Sequence, residues 1–483
     1  MDAEVVHSLD DEEHFWLALD NIVSGPSDEH ELIDNALRAY LAITAESKQE
    51  FLQSEQDVAR CCYKLLDSEL FHTNQDYIRR QFLYCLLEED DPGTLHLAAA
   101  VLLFDGRADE AAFEMMQAEG AFPRLVRLVR DNRDDNIGLH RLLLELLFEM
   151  SRIQKLGRDD ITTVDDGFIL YLFQLIEQLS DDADDPYHYP IIRVLLVLNE
   201  QYMCLASAPS SPGNGAVTNR ILKTLSTHGS YYRTFGENLI LLLNREAALS
   251  LQLLILKLLY LLFTTPSTYE YFYTNDLHVL VDVIIRNLLD LDPGAGGVDD
   301  RDGQAALRHT YLRVLCPLLK NTQLAREGSN YKRNEVRRLL HLLVNRSTAH
   351  FAPVDETVVR LVLRCKQVEW LREEGDEQFQ EIERKLLEVA PKDTDVAQKL
   401  LGMSLPDAGL SSLSVVEVAA KVTKEKPSVP APRRRKKKTD GVGAKGSFGN
   451  ALKVPPRDLT ASMSSDDVQA GGRSPFADDN EEA

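Results

Sequence analysis

A few segments carry residue types at spacings that could support chemistry. Residues 441–446 read G-x-G-x-x-G, a pattern that binds dinucleotides between a strand and a helix, whereas here it follows the basic run of residues 433–438. Residues 181–186 and 300–303 are acidic, but neither segment has the closing glutamate of a calcium-binding loop. These segments are therefore interpreted as polar loops. No catalytic, cofactor-binding or metal-ligating residue is predicted, and we expect a protein that is not an enzyme.

The cysteines indicate no metal site either. None of them forms the C-x-x-C pair of zinc-binding or redox motifs, and all lie inside helix-like patterns. They are predicted to be reduced core residues of an intracellular protein, because thiols stay reduced in that compartment. The six are Cys61, Cys62, Cys85, Cys204, Cys316 and Cys365.

Charge is distributed unevenly along the chain. Residues 421–483 hold 13 Lys and Arg against 9 Asp and Glu, so the preceding 420 residues hold 40 against 68, a net charge of −28. A body this acidic argues against sequence-independent binding of nucleic acid, because such binding needs a basic face. The acidic start lacks the basic and apolar regions of a signal peptide, so we expect a soluble, cytoplasmic protein without a transmembrane segment.

The basic tail carries short interaction motifs. Residues 424–430 (KEKPSVP) match [R/K]-x-x-P-x-x-P, which favours a polyproline II helix that docks into the aromatic groove of an SH3 domain. The predicted SH3 ligand consists of Lys424, Pro427, Pro430, Pro432 and Arg433. The basic patch that follows is a nuclear address, an anionic-lipid patch or an SH3 flank, and it consists of Arg434, Arg435, Lys436, Lys437 and Lys438. Because residues 421–483 hold few large apolar side chains, they are predicted to be disordered.

The elements of the body are organised around residues 249–263 (LSLQLLILKLLYLLF), which are apolar on nearly every side of a helix. A membrane span is not favoured, because fifteen helical residues reach about 22 Å against a hydrocarbon core of about 30 Å, and Lys257 lies near the centre. Such a helix must be covered by protein on all sides. Residues 277–291, with Asn275 or Asp276 as the cap, add a second helix with one apolar stripe, and such a pair is typical of a solenoid unit.

Helical periodicity recurs through the rest of the body, and strict two-residue alternation is almost absent, which predicts an all-α fold. A helical domain is predicted over residues 1–390, a short helix and linker over 391–420, and the tail over 421–483. The further predicted helices cover residues 12–20, 29–44, 48–66, 75–88, 94–104, 108–120, 122–129, 134–151, 168–179, 189–205, 216–225, 237–243, 305–319, 335–344, 356–365, 378–389 and 396–401.

Four aromatic residues follow the central helix closely, namely Tyr269, Tyr271, Phe272 and Tyr273. Most of them are interpreted as core residues that close the gap between two solenoid layers. The alternative is a binding hot spot, because tyrosine is enriched at protein interfaces.

Four blocks of the body resemble the leucine-rich domain of the WISH/DIP/SPIN family, most closely its fungal Dip and Ldb members. The blocks are residues 190–203, 258–291 (LLYLLFTTPSTYEYFYTNDLHVLVDVIIRNLLDL), 308–319 and 331–343, and the second is the specific one. Animal members carry an N-terminal SH3 domain, whereas residues 1–60 look helical here. The SH3 ligand in the tail fits the fungal branch instead.

The resemblance implies an armadillo-like helical solenoid that binds and activates the actin-related protein 2/3 complex without a preformed filament, at cortical actin patches during endocytosis. It implies SH3-domain endocytic proteins as further partners, actin as an indirect one, and no cofactor. The candidate contact residues are polar residues within the matching blocks, namely Asn275, Asp276, Arg308, Arg313, Lys332, Arg333 and Arg337. The alternative function is a non-catalytic armadillo scaffold that recruits SH3-domain endocytic partners through its tail.

Overall fold

The computed structural model describes residues 2–25, 29–131, 136–178, 188–207, 217–291, 298–326, 330–344 and 355–372, all within one structural unit of the chain. These residues form helices and turns with no strand among them, which confirms the predicted all-α fold. The predicted helices at 378–389 and 396–401, the domain boundaries near 390 and 420, and the SH3-ligand and basic-patch residues lie outside the described residues. Those assignments stay predictions.

The described part of the chain contains twenty α-helices and four 3-10 turns. The 3-10 turns are Gly229–Tyr231, Pro266–Thr268, Gln323–Ala325 and Glu369–Leu371. The α-helices are α1 (Asp2–Val23), α2 (His30–Glu46), α3 (Lys48–Phe51), α4 (Glu55–Leu66), α5 (Glu69–Thr73), α6 (Gln75–Glu88), α7 (Pro92–Ala108), α8 (Ala111–Ala118), α9 (Ala121–Asp131), α10 (Ile137–Ile153), α11 (Arg158–Thr163), α12 (Asp166–Glu177), α13 (Tyr189–Ser207), α14 (Arg220–His228), α15 (Arg233–Arg245), α16 (Leu249–Thr264), α17 (Thr274–Asp290), α18 (Val298–Asn321), α19 (Arg333–Val344) and α20 (Glu356–Lys366).

The helices stack in two rows. In the first row, α4, α7, α10, α13, α16, α18 and α20 each pack against the next, and in the second row α6, α9, α12, α15, α17 and α19 do the same. One apolar core runs between the rows from Phe15 to Leu371. Because each helix contacts mainly the preceding and following repeats, this arrangement is the predicted helical solenoid.

The central helix α16 is covered as its sequence requires. It packs against α13 and α18 in its own row and also contacts α15, and side chains on several of its sides, such as Leu254, Leu258 and Phe263, are fully buried. Its single charge has a partner, because Lys257 Nζ lies 2.5 Å from Glu200 Oε1 on α13. Glu200 is only 3% exposed, so this ion pair joins two first-row helices inside the protein.

A second buried charge joins three first-row helices. Glu149 of α10 lies 2.6 Å from Arg152 on the same helix, 3.4 Å from Arg107 of α7 and 3.5 Å from Arg193 of α13. Burial raises the pKa of Glu149, but the three arginines outweigh it and hold that pKa below the usual value. The carboxylate therefore stays ionised and fixes α7, α10 and α13 relative to one another.

Two features of the N-terminal half differ from the sequence prediction. The single helix predicted over residues 48–66 is wrong, because Ser54 interrupts it and caps α4: Asp57 N donates to Ser54 Oγ at 3.1 Å, and Ser54 N donates to Asp57 Oδ2 at 3.3 Å. The short helices α5 and α11 were not predicted. Each is less than two turns long, which is too short to show a helical period.

We predict that Lys257→Met lowers the free energy of unfolding by about 3 kcal/mol, because it leaves the buried Glu200 carboxylate without its lysine. The double variant Glu200→Gln/Lys257→Met should recover most of that loss, since neither residue is then charged. Urea denaturation followed by circular dichroism measures both. Equal losses in the single and double variants would show that the ion pair does not carry the effect.

Candidate partner-binding surface

Three connections between helices lie side by side along one edge of the stack. They contain the 3-10 turns Gly229–Tyr231, Pro266–Thr268 and Gln323–Ala325, which follow α14, α16 and α18 respectively. The second turn packs against α14, and the third packs against α17. Three successive repeats therefore each contribute a loop to one continuous surface.

Buried hydrogen bonds hold these loops together. Tyr271 Oη donates to the carbonyl oxygen of Tyr232 at 2.5 Å, and Gln323 Nε2 donates to the carbonyl oxygen of Phe272 at 3.0 Å. Burial raises the pKa of Tyr271, so its hydroxyl stays protonated and available as a donor. The side chain of Tyr271 also fills the space beside Gly236, where an added Cβ would lie 3.0 Å from the ring. These contacts within the protein hold the three loops in place without a partner.

Large side chains project from these loops into solvent. Tyr231 is 74% exposed and Tyr273 is 57% exposed. Arg233 lies between the loops, with its guanidinium carbon 4.7 Å from the ring centroid of Tyr273. Glu270 forms an exposed ion pair with Arg326. We call these five residues (Tyr231, Arg233, Glu270, Tyr273 and Arg326) the loop edge.

The start of α15 positions Arg233. Thr234 donates from its backbone nitrogen to Glu177 Oε1 at 2.8 Å and from its hydroxyl to Glu177 Oε2 at 2.7 Å. This carboxylate, at the end of α12, therefore satisfies the first turn of α15 and anchors it. Arg233 also stacks on the buried ring of Tyr271, with 5.5 Å between guanidinium carbon and ring centroid. Its side chain is thus held by a cation–π contact on each side.

The composition of the loop edge suits protein binding. Tyrosine and arginine are enriched among the few residues that carry most of the energy of typical protein interfaces. Within the described part of the chain, no group of three or more His, Cys, Asp or Glu residues is arranged to hold a metal ion. The six cysteines are free thiols, and the predicted core placement is confirmed for Cys61, Cys62 and Cys365, which are buried. It is wrong for Cys85, Cys204 and Cys316, which are only partly buried.

Most of the seven residues proposed from the sequence make contacts within the protein. Arg308, Arg333 and Arg337 donate to backbone carbonyl oxygens of Leu291, Trp370 and Leu371 respectively. Asp276 accepts from Tyr273 N at 3.2 Å at the start of α17, in the capping role considered from the sequence, and Lys332 lies 2.8 Å from Asp282. These interactions stabilise helix ends, and they do not by themselves indicate a binding surface.

The other two candidates lie on different surfaces. Asn275 is exposed in the first turn of α17, two residues after Tyr273, and so borders the loop edge. Arg313 lies on α18 and lines a separate pocket beside α20. The structure therefore does not bring the seven residues together into one site.

Among the aromatic residues after α16, some lie in the core and one is exposed, so each of the two interpretations made from the sequence applies to part of the group. Tyr271 and Phe272 are 5% and 3% exposed and belong to the core, whereas Tyr273 points into solvent. Tyr231, Arg233 and Arg326 were not predicted as binding residues. Nothing in their local sequence marks them, because Arg233 contacts Tyr273, 40 positions later, and Arg326 contacts Glu270, 56 positions earlier.

The fold and surface together define a helical-repeat protein with an aromatic and arginine-rich loop edge, a class that binds other proteins. No helix among the described residues is long and apolar enough to span a membrane. The family model "SPIN90/Ldb17, leucine-rich domain" matches residues 184–336, which include every residue of the loop edge. The match confirms the resemblance to the WISH/DIP/SPIN family seen in the sequence, within residues 184–336.

Curated relatives extend the similarity beyond that domain. Protein dip1 of Schizosaccharomyces pombe is 29% identical over 376 residues, which cover 77% of this chain and 97% of the relative. Protein LDB17 of Saccharomyces cerevisiae is 28% identical over 424 residues, covering 76% and 82%. Protein LDB17 of Eremothecium gossypii is 27% identical over 388 residues, covering 73% and 80%.

Solved structures align with this chain at low TM-scores. An engineered protein aligns over 86% of this chain and 96% of its own with 16% identity and a TM-score of 0.35. A structure from work on the interaction between cadherin and beta-catenin aligns over 87% and 98% with 12% identity and a TM-score of 0.32. The solenoid assignment therefore rests on the helix packing of this chain.

We predict that the two neighbouring tyrosines differ sharply in their effect on stability. Tyr273→Ala should change the free energy of unfolding by less than about 0.5 kcal/mol, because the ring is mostly in solvent. Tyr271→Phe should lower it by about 1–3 kcal/mol, because the buried carbonyl of Tyr232 loses its donor. Denaturant unfolding of both variants tests the assignment, and a larger loss for Tyr273→Ala than for Tyr271→Phe would contradict it.

Proposed function

We propose that this protein is a nucleation-promoting factor that binds and activates the actin-related protein 2/3 complex without a preformed filament. The observation that carries the proposal is the match of residues 184–336 to the SPIN90/Ldb17 leucine-rich domain. The similarity to protein dip1 over 97% of its length adds support, because it extends over the whole relative. The resulting linear filaments would seed cortical actin patches during endocytosis, which gives the protein a cytoplasmic, cortical location.

The proposed mechanism is a population shift. The complex exchanges between inactive and filament-like arrangements of its two actin-related subunits, and a ligand that binds the second arrangement more tightly favours it. A rigid solenoid suits this role because little of its binding energy is lost in ordering its own surface. No bond is made or broken by the protein, so the proposal requires no catalytic residue.

We assign the contact with the complex to the loop edge. Tyr231, Tyr273 and Arg233 are of the residue types that dominate interface energies, and Arg233 and Tyr273 hold each other by a cation–π contact before binding. The surrounding Glu270, Arg326 and Asn275 form a polar rim, as expected around such a centre. The loop edge also lies wholly inside the matched domain.

Pyrene-actin assembly with the full chain and the purified complex, without added filaments, tests the activity. We expect the lag phase to shorten and microscopy to show unbranched filaments. Tyr273→Ala and Arg233→Ala should each weaken activation about thirtyfold in the concentration needed, equivalent to about 2 kcal/mol for a hot-spot side chain.

Tyr84→Ala is the matched control. Tyr84 is a tyrosine on α6 that is 44% exposed and lies outside the matched domain, so its loss should leave activation unchanged. An unchanged lag with the unmodified chain at saturating concentration would refute the activity. A shortened lag that Tyr84→Ala and Tyr273→Ala affect equally would refute only the assignment of the surface.

The alternative function is an armadillo scaffold that acts by recruiting SH3-domain endocytic proteins through the motif at residues 424–430. The two functions differ in what the tail must do. Deletion of residues 421–483 should leave actin activation intact under our proposal and abolish the main activity under the scaffold alternative. The same pyrene-actin assay, together with pull-down by SH3 domains, distinguishes them.

A further inference from the structure

A pocket of about 230 Å³ opens between α16, α18 and α20, and no residue of the loop edge lines it. Arg313, Cys316 and Lys320 line it from one face of α18, since they recur at the helical period. Arg364 lines it from α20, and Tyr260 lines it from α16. The apolar side chains of Leu312, Pro317 and Leu361 complete the walls.

The pocket concentrates positive charge. Arg313 is partly buried, and its pKa is lowered by desolvation and by the neighbouring Arg364 and Arg360. The pKa of Cys316 in the same pocket is lowered mainly by its interaction with Cys365, and also by the charges of Arg364 and Lys320. Like charges held this close repel one another, and an anion placed among them would relieve that repulsion.

The charge of the whole body limits what kind of anion fits. Residues 1–420 carry a net charge of −28, which repels extended polyanions and anionic membranes at long range. A compact anion of low total charge experiences mainly the local cations. Clusters of arginine and lysine are the usual means of recognising a phosphate on a peptide side chain, because a dianion matches several cations better than a single carboxylate does.

We propose that this pocket is a binding site for a phosphorylated serine or threonine of a partner peptide. The phosphate lies among Arg313, Lys320 and Arg364, and the apolar walls at Leu312 and Leu361 receive the flanking side chains of the peptide. The proposal is independent of the actin-related function, since neither the loop edge nor the tail takes part.

Cys316 supplies a built-in probe of the site. A ligand in the pocket covers this thiol and offsets the cations that favour its thiolate, so alkylation by neutral iodoacetamide becomes slower. Cys85 is the internal control, because it is also half-buried but its pKa is raised to about 11 by burial and by Glu89 and Asp91. Peptide mapping by mass spectrometry measures both rates on the full chain in one reaction.

The probe is the capped peptide Gly-Leu-phosphoserine-Leu-Gly, compared with its serine and glutamate versions. We expect Cys316 to be alkylated faster than Cys85 in the free protein, and the phosphopeptide to slow Cys316 about tenfold while Cys85 is unaffected. Arg364→Gln, at an exposed site on α20, should raise the concentration for half-protection about tenfold, with each variant normalised to its own free rate. Arg80→Gln, an exposed arginine of α6, is the matched control and should change nothing.

Several outcomes would overturn the proposal. These are no protection of Cys316 by the phosphopeptide, equal protection by the glutamate or serine peptide, or protection unaffected by Arg364→Gln. Inorganic phosphate that protects as well as the peptide would reduce the site to one for a compact anion. Stronger protection by vesicles of phosphatidylcholine and phosphatidylinositol phosphate would assign the pocket to a membrane headgroup instead.

Discussion

The whole stack depends on the burial of helices that have apolar side chains on almost every side. Helix α16 is the extreme case, since most of its side chains are inaccessible to solvent and its neighbours α13 and α18 each bury one of its sides. A helix of this kind is not stable alone, because its apolar surface must be removed from water by other helices. Each repeat is therefore stable only when the adjacent repeats are folded, which explains the single continuous core from Phe15 to Leu371.

Apolar packing alone would permit neighbouring helices to slide by a turn, and polar contacts in the first row restrict that. Gln201 of α13 donates to the carbonyl oxygens of Ser151 and Gln154 at 2.6 and 2.8 Å and accepts from Leu156 N at 3.0 Å. These three hydrogen bonds satisfy backbone groups at and just after the end of α10, and all three form together in only one register of α13 against α10. Glu149 with its three arginines and Glu200 with Lys257 act in the same way, since a slipped register would leave a buried charge without its partner.

The sequence predicts much of the helical fold because helical periodicity is a local property. Helix α6 begins and ends where its pattern predicts, and the covering of residues 249–263 follows from their composition. Exposure of individual side chains is not local. Tyr271 and Tyr273 are two residues apart in the same short segment, but contacts with Tyr232 and Gly236 in the previous repeat make only Tyr271 a core residue.

The surroundings of charged side chains are non-local for the same reason. Charged residues such as Arg333 and Arg337 looked available in the sequence, but each donates to a backbone carbonyl near residue 371, more than 30 positions later. Conversely, Arg233 is positioned on the loop edge by its cation–π contact with the ring of Tyr273 in the next repeat. Residue type and spacing identify which side chains are polar, whereas contacts between repeats determine which of them remain accessible.

The loop edge has a mechanical consequence because its residues belong to successive repeats. Tyr231 follows α14, Glu270 follows α16 and Arg326 follows α18, so the distances between them change with the twist of one repeat against the next. A partner that contacts all three residues holds these repeats at one twist relative to one another. By thermodynamic reciprocity, anything that alters the twist elsewhere along the solenoid alters the affinity of this edge.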